Sequence, residues 1–79
     1  MMKVEVFSKP SCPYCDRAKA LLTKEGMAYE ERSAVDERDY LIERVTNETG
    51  APPRTVPQIF IEGRHIGGYD DLVKWMAAR

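Results

Sequence analysis

The only two cysteines of the chain stand three residues apart, in Ser11-Cys12-Pro13-Tyr14-Cys15. Proline is tolerated at the first helical position, because its missing N–H would have no partner there. With Pro13 in that position, Cys12 becomes the N-cap. An N-cap side chain accepts hydrogen bonds from the backbone N–H groups that follow, here those of Tyr14 and Cys15. A thiolate accepts better than a thiol, and the positive end of the helix dipole favours the anion. Both effects favour the form of Cys12 that attacks disulfides. Lys9, three residues upstream, adds a cation. Cys15 lies one turn on, where Cβ atoms on a shared face are about 5–6 Å apart, against about 3.5–4.5 Å in a disulfide. A small local adjustment closes the bridge, so Cys12 and Cys15 read as a catalytic dithiol that cycles between states.

Two other uses of a cysteine pair fit less well. A structural zinc site takes four Cys or His ligands, and beyond the pair the chain offers one histidine, His65. No metal is expected. A passive disulfide stabilises by closing a long loop, and a bridge across two intervening residues constrains little.

The elements that must position this pair fit within one domain of 79 residues, taken as residues 1–79. A composition of 43% hydrophobic and 32% charged residues is that of a soluble globular domain. A net charge of −1 provides no basic field for nucleic acid. No apolar run approaches the roughly 20 residues of a membrane span, and the N-terminus lacks the apolar stretch of a secretory signal. A dithiol without such a signal points to a reducing cytoplasm, where disulfides are transient and catalytic.

Val4, Val6 and Phe7 predict a buried strand over residues 3–7, and a loop from Ser8 to Ser11 delivers Cys12 to the helix start. The helix from Pro13 carries Cys15, Ala18, Leu21 and Leu22 on one face, with Gly26 as its C-cap. Met27 to Arg32 reads as a second strand with Tyr29 inward. Strand, helix and strand make a βαβ unit, so these strands should be parallel with a right-handed crossover. Val35 to Thr49 reads as a second helix, with Asp36 as N-cap and Leu41, Ile42 and Val45 facing the core. Glu43, Arg44, Asn47 and Glu48 read as its solvated face. After the breaker-rich loop Thr49–Arg54 comes a strand from Thr55 to Ile61. A turn at Glu62-Gly63-Arg64 and a returning strand His65-Ile66-Gly67 complete a hairpin. Tyr69-Asp70-Asp71 opens a last helix with Leu72, Val73 and Met76 inward. Trp75 reads as partial core and His65 as a solvated strand residue. The expected class is α/β: a mixed four-stranded sheet, in the order β-α-β-α-β-β-α, flanked by three helices.

That order, with Cys12-Pro13-Tyr14-Cys15 after the first strand, resembles the thioredoxin-like fold and, more narrowly, the dithiol glutaredoxins. Two further stretches carry the resemblance: Thr55-Val56-Pro57 and Gly67-Gly68-Tyr69-Asp70-Asp71. It implies a glutathione-dependent thiol–disulfide oxidoreductase with glutathione as reducing co-substrate. Pro57 would be cis, and the backbone of Val56, flanked by Thr55, would pair with the extended tripeptide. Lys9 would meet the glycyl carboxylate. The start of the last helix, near Tyr69 and Asp70, would hold the γ-glutamyl carboxylate, and Asp70 or Asp71 its ammonium. Tyr14 would line the groove, and Arg44 or Arg54 would add a basic contact. Partners would be glutathionylated or disulfide-bonded proteins, ribonucleotide reductase among them, met by a monomer. Two rivals are a thioredoxin-reductase-dependent hydrogen donor and a [2Fe-2S] carrier in which two chains share a cluster through Cys12 and two glutathiones. Pro13 argues against the second. This chain departs from the family at Pro52-Pro53, which looks like a small insertion, and at Tyr69, where a small residue or a third cysteine is common.

Overall fold

The structure is a computed structural model and describes residues 2–79. Its elements run β1 (Val4–Ser8), α1 (Pro13–Lys24), β2 (Glu30–Ser33), α2 (Arg38–Thr49), β3 (Gln58–Ile61), β4 (Arg64–Gly67) and α3 (Tyr69–Ala78). The sheet order is β2-β1-β3-β4. β1 runs parallel to β2 and antiparallel to β3, and β3 pairs antiparallel with β4. This is the mixed sheet that the sequence predicts.

Strand residues alternate between the two faces. Val4, Val6, Ile59 and Ile61 pack against Ala18 and Leu22 of α1 and Leu72 of α3. Phe7 and Phe60, on the other face, pack against Leu41 and Val45 of α2. Cys12 therefore starts a helix seated on an apolar face. Among the described residues no helix is long and apolar enough to cross a membrane.

Several boundaries move, each for a local reason. At the end of α1, Glu25 is the C-cap and Gly26 follows with φ +72°. The Met27 amide donates back to the Leu22 carbonyl. Met27 and Tyr29 thus pack on the core before β2 begins, and the strand is shorter than residues 27–32. The second helix starts at Arg38, not Val35. Residues 34–37 form a turn in which the Asp36 amide donates to Ser33 Oγ and the Glu37 amide to the Ser33 carbonyl. Asp36 is not the N-cap. Glu37 holds that place, and its carboxylate is drawn to Arg32 rather than to the helix. β3 begins at Gln58, after a bend at Thr55-Val56. The hairpin turn puts Glu62 at φ +53° and Gly63 at φ +80°, the two positive values that a tight turn of matching twist requires. Val73 is 42% exposed rather than inward, because Tyr69, Leu72 and Met76 already form the inward row of α3. Trp75 packs at the edge of that row.

Two residues expected in solvent turn inward. Arg44 donates to both oxygens of Glu5, itself only 1% exposed, and its guanidinium lies 3.8 Å from the Phe60 ring centroid. His65 is half-buried against Phe60 and Gln58.

Candidate active site

Cys12 is the N-cap of α1, with extended backbone, and Pro13 opens the helix. The Cys15 amide donates to Cys12 Sγ at 3.2 Å. Of the two expected donors, only this one reaches the sulfur; the other capping bond runs from the Asp16 amide to the Cys12 carbonyl. Cys12 and Cys15 are disulfide-bonded, with Cα atoms 5.2 Å apart. Cys12 is 7% exposed and Cys15 1%, so Cys12 presents the sulfur that a substrate can reach. Ser11, just before it, takes φ +58°, a left-handed conformation uncommon outside glycine.

The second wall is the bend before β3. The Val56–Pro57 peptide is cis, and the Val56 carbonyl lies 3.9 Å from Cys12 Sγ. The third wall is the β4–α3 junction. Asp71 turns back to accept the Gly68 amide at 3.1 Å. Gly67 has φ +123°, and a Cβ there would collide with the Asp71 carboxylate. Glycine is thus required by backbone and by space.

These walls enclose two openings on either side of Val56. One, about 550 Å³, brings together Tyr14, Thr55, Val56, Pro57, Tyr69, Asp70 and Asp71. The Tyr14 and Tyr69 rings sit 6.0 Å apart, and the Arg17 guanidinium lies 5.0 Å over Tyr14. Tyr69 therefore fills the place of a small residue by stacking on the groove wall. The other opening, about 300 Å³, places Lys9, Arg38 and Arg54 around Val56, above a floor that includes Leu41 and Ile42. The candidate residues are thus gathered round one backbone edge, with two adjustments. Both Asp70 and Asp71 are exposed, but Asp71 is engaged as a helix cap, which leaves Asp70 as the uncommitted acid. Arg44 is held by Glu5 and stands outside both openings; the basic residue that α2 brings to the site is Arg38. The sequence pattern starts this helix three residues earlier, at Val35, which hides that Arg38 stands at its very start. Its position as the first residue of α2 is what carries it to the groove.

A glutaredoxin family model matches residues 4–66. Glutaredoxin 3 of Escherichia coli strain K12 is 46% identical over 72 residues, covering 91% of this chain and 83% of that protein. The chain belongs to the glutaredoxin family. Glutaredoxin 1 from Francisella tularensis, solved in complex with cacodylate, superposes with a TM-score of 0.78 at 29% identity and full coverage of both chains. A buckwheat glutaredoxin–glutathione complex superposes with a TM-score of 0.76 at 36% identity, over 95% of this chain and 68% of that one. This glutaredoxin is a thiol–disulfide oxidoreductase with a thioredoxin-like fold and a Cys12–Cys15 redox centre. Among the described residues no three His, Cys, Asp or Glu side chains cluster as a metal ion would need.

Proposed function

We propose that this glutaredoxin reduces glutathione mixed disulfides and protein disulfides, with glutathione as the reducing co-substrate. One observation carries the reading: Cys12 Sγ sits beside the open backbone edge of Val56, between an opening that ends on a helix N-terminus and Asp70 and one that holds Lys9, Arg38 and Arg54. Glutathione is an extended tripeptide with a carboxylate and an ammonium at one end and a carboxylate at the other. Its backbone suits pairing with Val56, its γ-glutamyl carboxylate the amides that open α3, and its glycyl carboxylate the cations. That gives binding roles to Lys9, Tyr14, Thr55, Val56, Pro57, Tyr69 and Asp70, and to Asp71 the role of shaping the helix start.

In the first reaction the Cys12 thiolate attacks the glutathione sulfur of a glutathionylated protein. A Cys12–glutathione disulfide forms, and the protein thiolate leaves and takes a proton. A second glutathione thiolate then attacks that disulfide at the bound glutathione sulfur, giving glutathione disulfide and restoring the Cys12 thiolate. In the second reaction Cys12 forms a mixed disulfide with a protein disulfide. The Cys15 thiolate displaces the protein thiol, and two glutathiones reduce the resulting Cys12–Cys15 bridge. We further propose that the chain acts as a monomer in the cytoplasm, without a bound metal, with ribonucleotide reductase among the disulfide substrates.

Cys12→Ser should abolish both reactions. Cys15→Ser should retain reduction of a glutathione mixed disulfide and lose reduction of a protein disulfide. A Cys15→Ser protein inert toward the glutathione mixed disulfide would contradict the assignment. Replacing glutathione and its reductase by thioredoxin reductase should stop NADPH consumption; continued turnover would favour the hydrogen-donor reading.

A further inference from the structure

Behind the Thr55 carbonyl lies a line of hydrogen bonds that thiol–disulfide exchange does not use. Gln58, the first residue of β3 and 6% exposed, donates its side-chain N–H to the Thr55 carbonyl at 2.8 Å. Its Oε1 meets His65 Nε2 on β4 at 2.6 Å. His65 is fixed in turn by its backbone N–H, which donates to Glu48 Oε2 of α2 at 2.6 Å, and by Phe60, whose ring centroid is 5.2 Å away. The line runs from α2 through β4 and β3 to the bend that presents Val56 to Cys12.

The direction of each bond follows from which atoms carry hydrogen. The Thr55 carbonyl only accepts, so Gln58 must face it with its NH₂ group. Only Oε1 of Gln58 then remains for His65, and an amide oxygen requires a donor. Burial lowers the pKa of His65, and Arg44 acts the same way, while Glu48 and Asp71 oppose them. The neutral ring carries one proton. That proton must sit on Nε2 for the line to be complete.

Apart from the fully buried Pro57, the backbone of the bend has few ties. Among the described residues, no backbone–backbone hydrogen bond outside the helices and strands involves residues 51–57. With Pro57 fully buried at one end, the side-chain bond from Gln58 is what fixes the Thr55 backbone at the other. Apparent affinity falls in proportion to the fraction that is competent to bind.

We propose that His65, acting through Gln58, is a positioning residue that holds the Thr55–Val56 backbone in its substrate-binding conformation. The proposal rests on the reading that glutathione pairs with the Val56 backbone. Losing one such bond should raise the KM for a glutathione mixed disulfide by about 3- to 10-fold, with kcat unchanged within about twofold, because Cys12 and its capping amide are untouched.

Steady-state kinetics of four proteins test it. His65→Phe fills the space but cannot donate, and should show the rise in KM. His65→Gln restores an N–H donor and should return KM toward the parent value. Gln58→Glu still accepts from His65 but cannot donate to Thr55, and should show the rise as well. In the parent protein, ¹⁵N NMR should find the Nε2–H tautomer of His65. The Val56 amide resonance should shift or broaden in His65→Phe and recover in His65→Gln. An unchanged KM in both His65→Phe and Gln58→Glu, a fall in kcat alone, or an Nδ1–H tautomer would overturn the proposal. If His65→Phe fails to fold, the Gln58→Glu kinetics and the tautomer decide. Failure of the underlying reading looks different. The parent would then show no preference for glutathione over cysteamine in the mixed disulfide, and loading Cys12 of the Cys15→Ser protein with glutathione would leave the Val56 amide unmoved.

Discussion

On the sheet face covered by α1 and α3, Val4, Val6, Ile59 and Ile61 meet Ala18, Leu22 and Leu72, with no charge among them. On the face covered by α2, Phe7 and Phe60 share the interior with Glu5, whose carboxylate is bound by Arg32 and Arg44. Arg32 also grips Glu37, and both guanidinium groups lie over aromatic rings, Arg32 at 5.0 Å from Phe7 and Arg44 at 3.8 Å from Phe60. The first face needs only shape. The second needs every charge paired, because a buried unpaired charge costs several kcal/mol while a paired one contributes little net. The helix that Cys12 caps stands on the first face. The bend that presents Val56 is tied to the second through Gln58 and His65. The helix that carries the sulfur and the hydrogen-bonded backbone edge beside it thus draw on different physics.

Leu22→Ala should be the largest single loss. Leu22 is fully buried between α1 and the sheet, and truncation there should cost about 3 kcal/mol in transfer and cavity terms. Urea unfolding measures it, and a cost under about 1 kcal/mol would mean the apolar face collapses around the gap. Glu5→Leu should cost about 2 kcal/mol, less than a fully buried pair because the Arg32 and Arg44 side chains remain 22% and 19% exposed. The triple variant E5L/R32M/R44M should recover most of that loss, since removing all partners leaves no orphan charge. If the triple variant is as unstable as Glu5→Leu, the charges do more than satisfy one another.

Acid should separate the faces next. Hydrogen bonds from Arg44 hold the Glu5 carboxyl below its ordinary 4.5, outweighing the opposite push of burial, and Arg32 adds to the lowering. A carboxyl lowered in the folded state contributes stability that is present above the ordinary value and is lost as pH falls through the folded one. The thermal midpoint should therefore fall below about pH 4.5 by more in the parent than in Glu5→Gln. Equal slopes would remove Glu5 as the source. Some slope remains in either protein, because Glu31 is lowered by Lys19 and Ser8 in the same sense.

The apolar face and the cysteine pair were legible because their signals are local. Alternation over Val4 to Phe7, the row Ala18–Leu22 and the Pro13 start each span a few residues. The charged face was not. Glu5 and Arg44 are 39 residues apart, and Arg44 sits among polar neighbours that read as solvated. The one clue was Glu5 itself, an acid inside an apolar run of the central strand, which demands a buried cation. His65 was missed for a similar reason, its partners lying 7 and 17 residues away. The start of α2 moved because Ser33, not Asp36, caps the preceding turn. The resemblance implies a basic contact from Arg44 or Arg54; Arg44 is held by Glu5, whereas Arg54, with Arg38 beside it, lines the opening next to Val56.

The smallest effect belongs to an ion pair at the rim of the apolar face. Lys19 of α1 meets Glu31 of β2 at 2.8 Å, and Ser8 Oγ donates to the same carboxylate oxygen at 2.7 Å. This pair is as short as the Arg32–Glu5 contact at 2.8 Å. Its side chains are 23% and 51% exposed, whereas the Glu5 side chain is 2% exposed. Water screens the first pair and not the second, and exposed pairs contribute about 0.2–1 kcal/mol. Lys19→Gln should therefore change stability by no more than about 0.5 kcal/mol, with the difference vanishing in 1 M salt, where charges are screened within about 3 Å. Glu5→Leu should keep its full cost in the same salt. A Lys19 effect as large as that of Glu5, or a Glu5 effect that salt erases, would show that burial is not what divides the two faces.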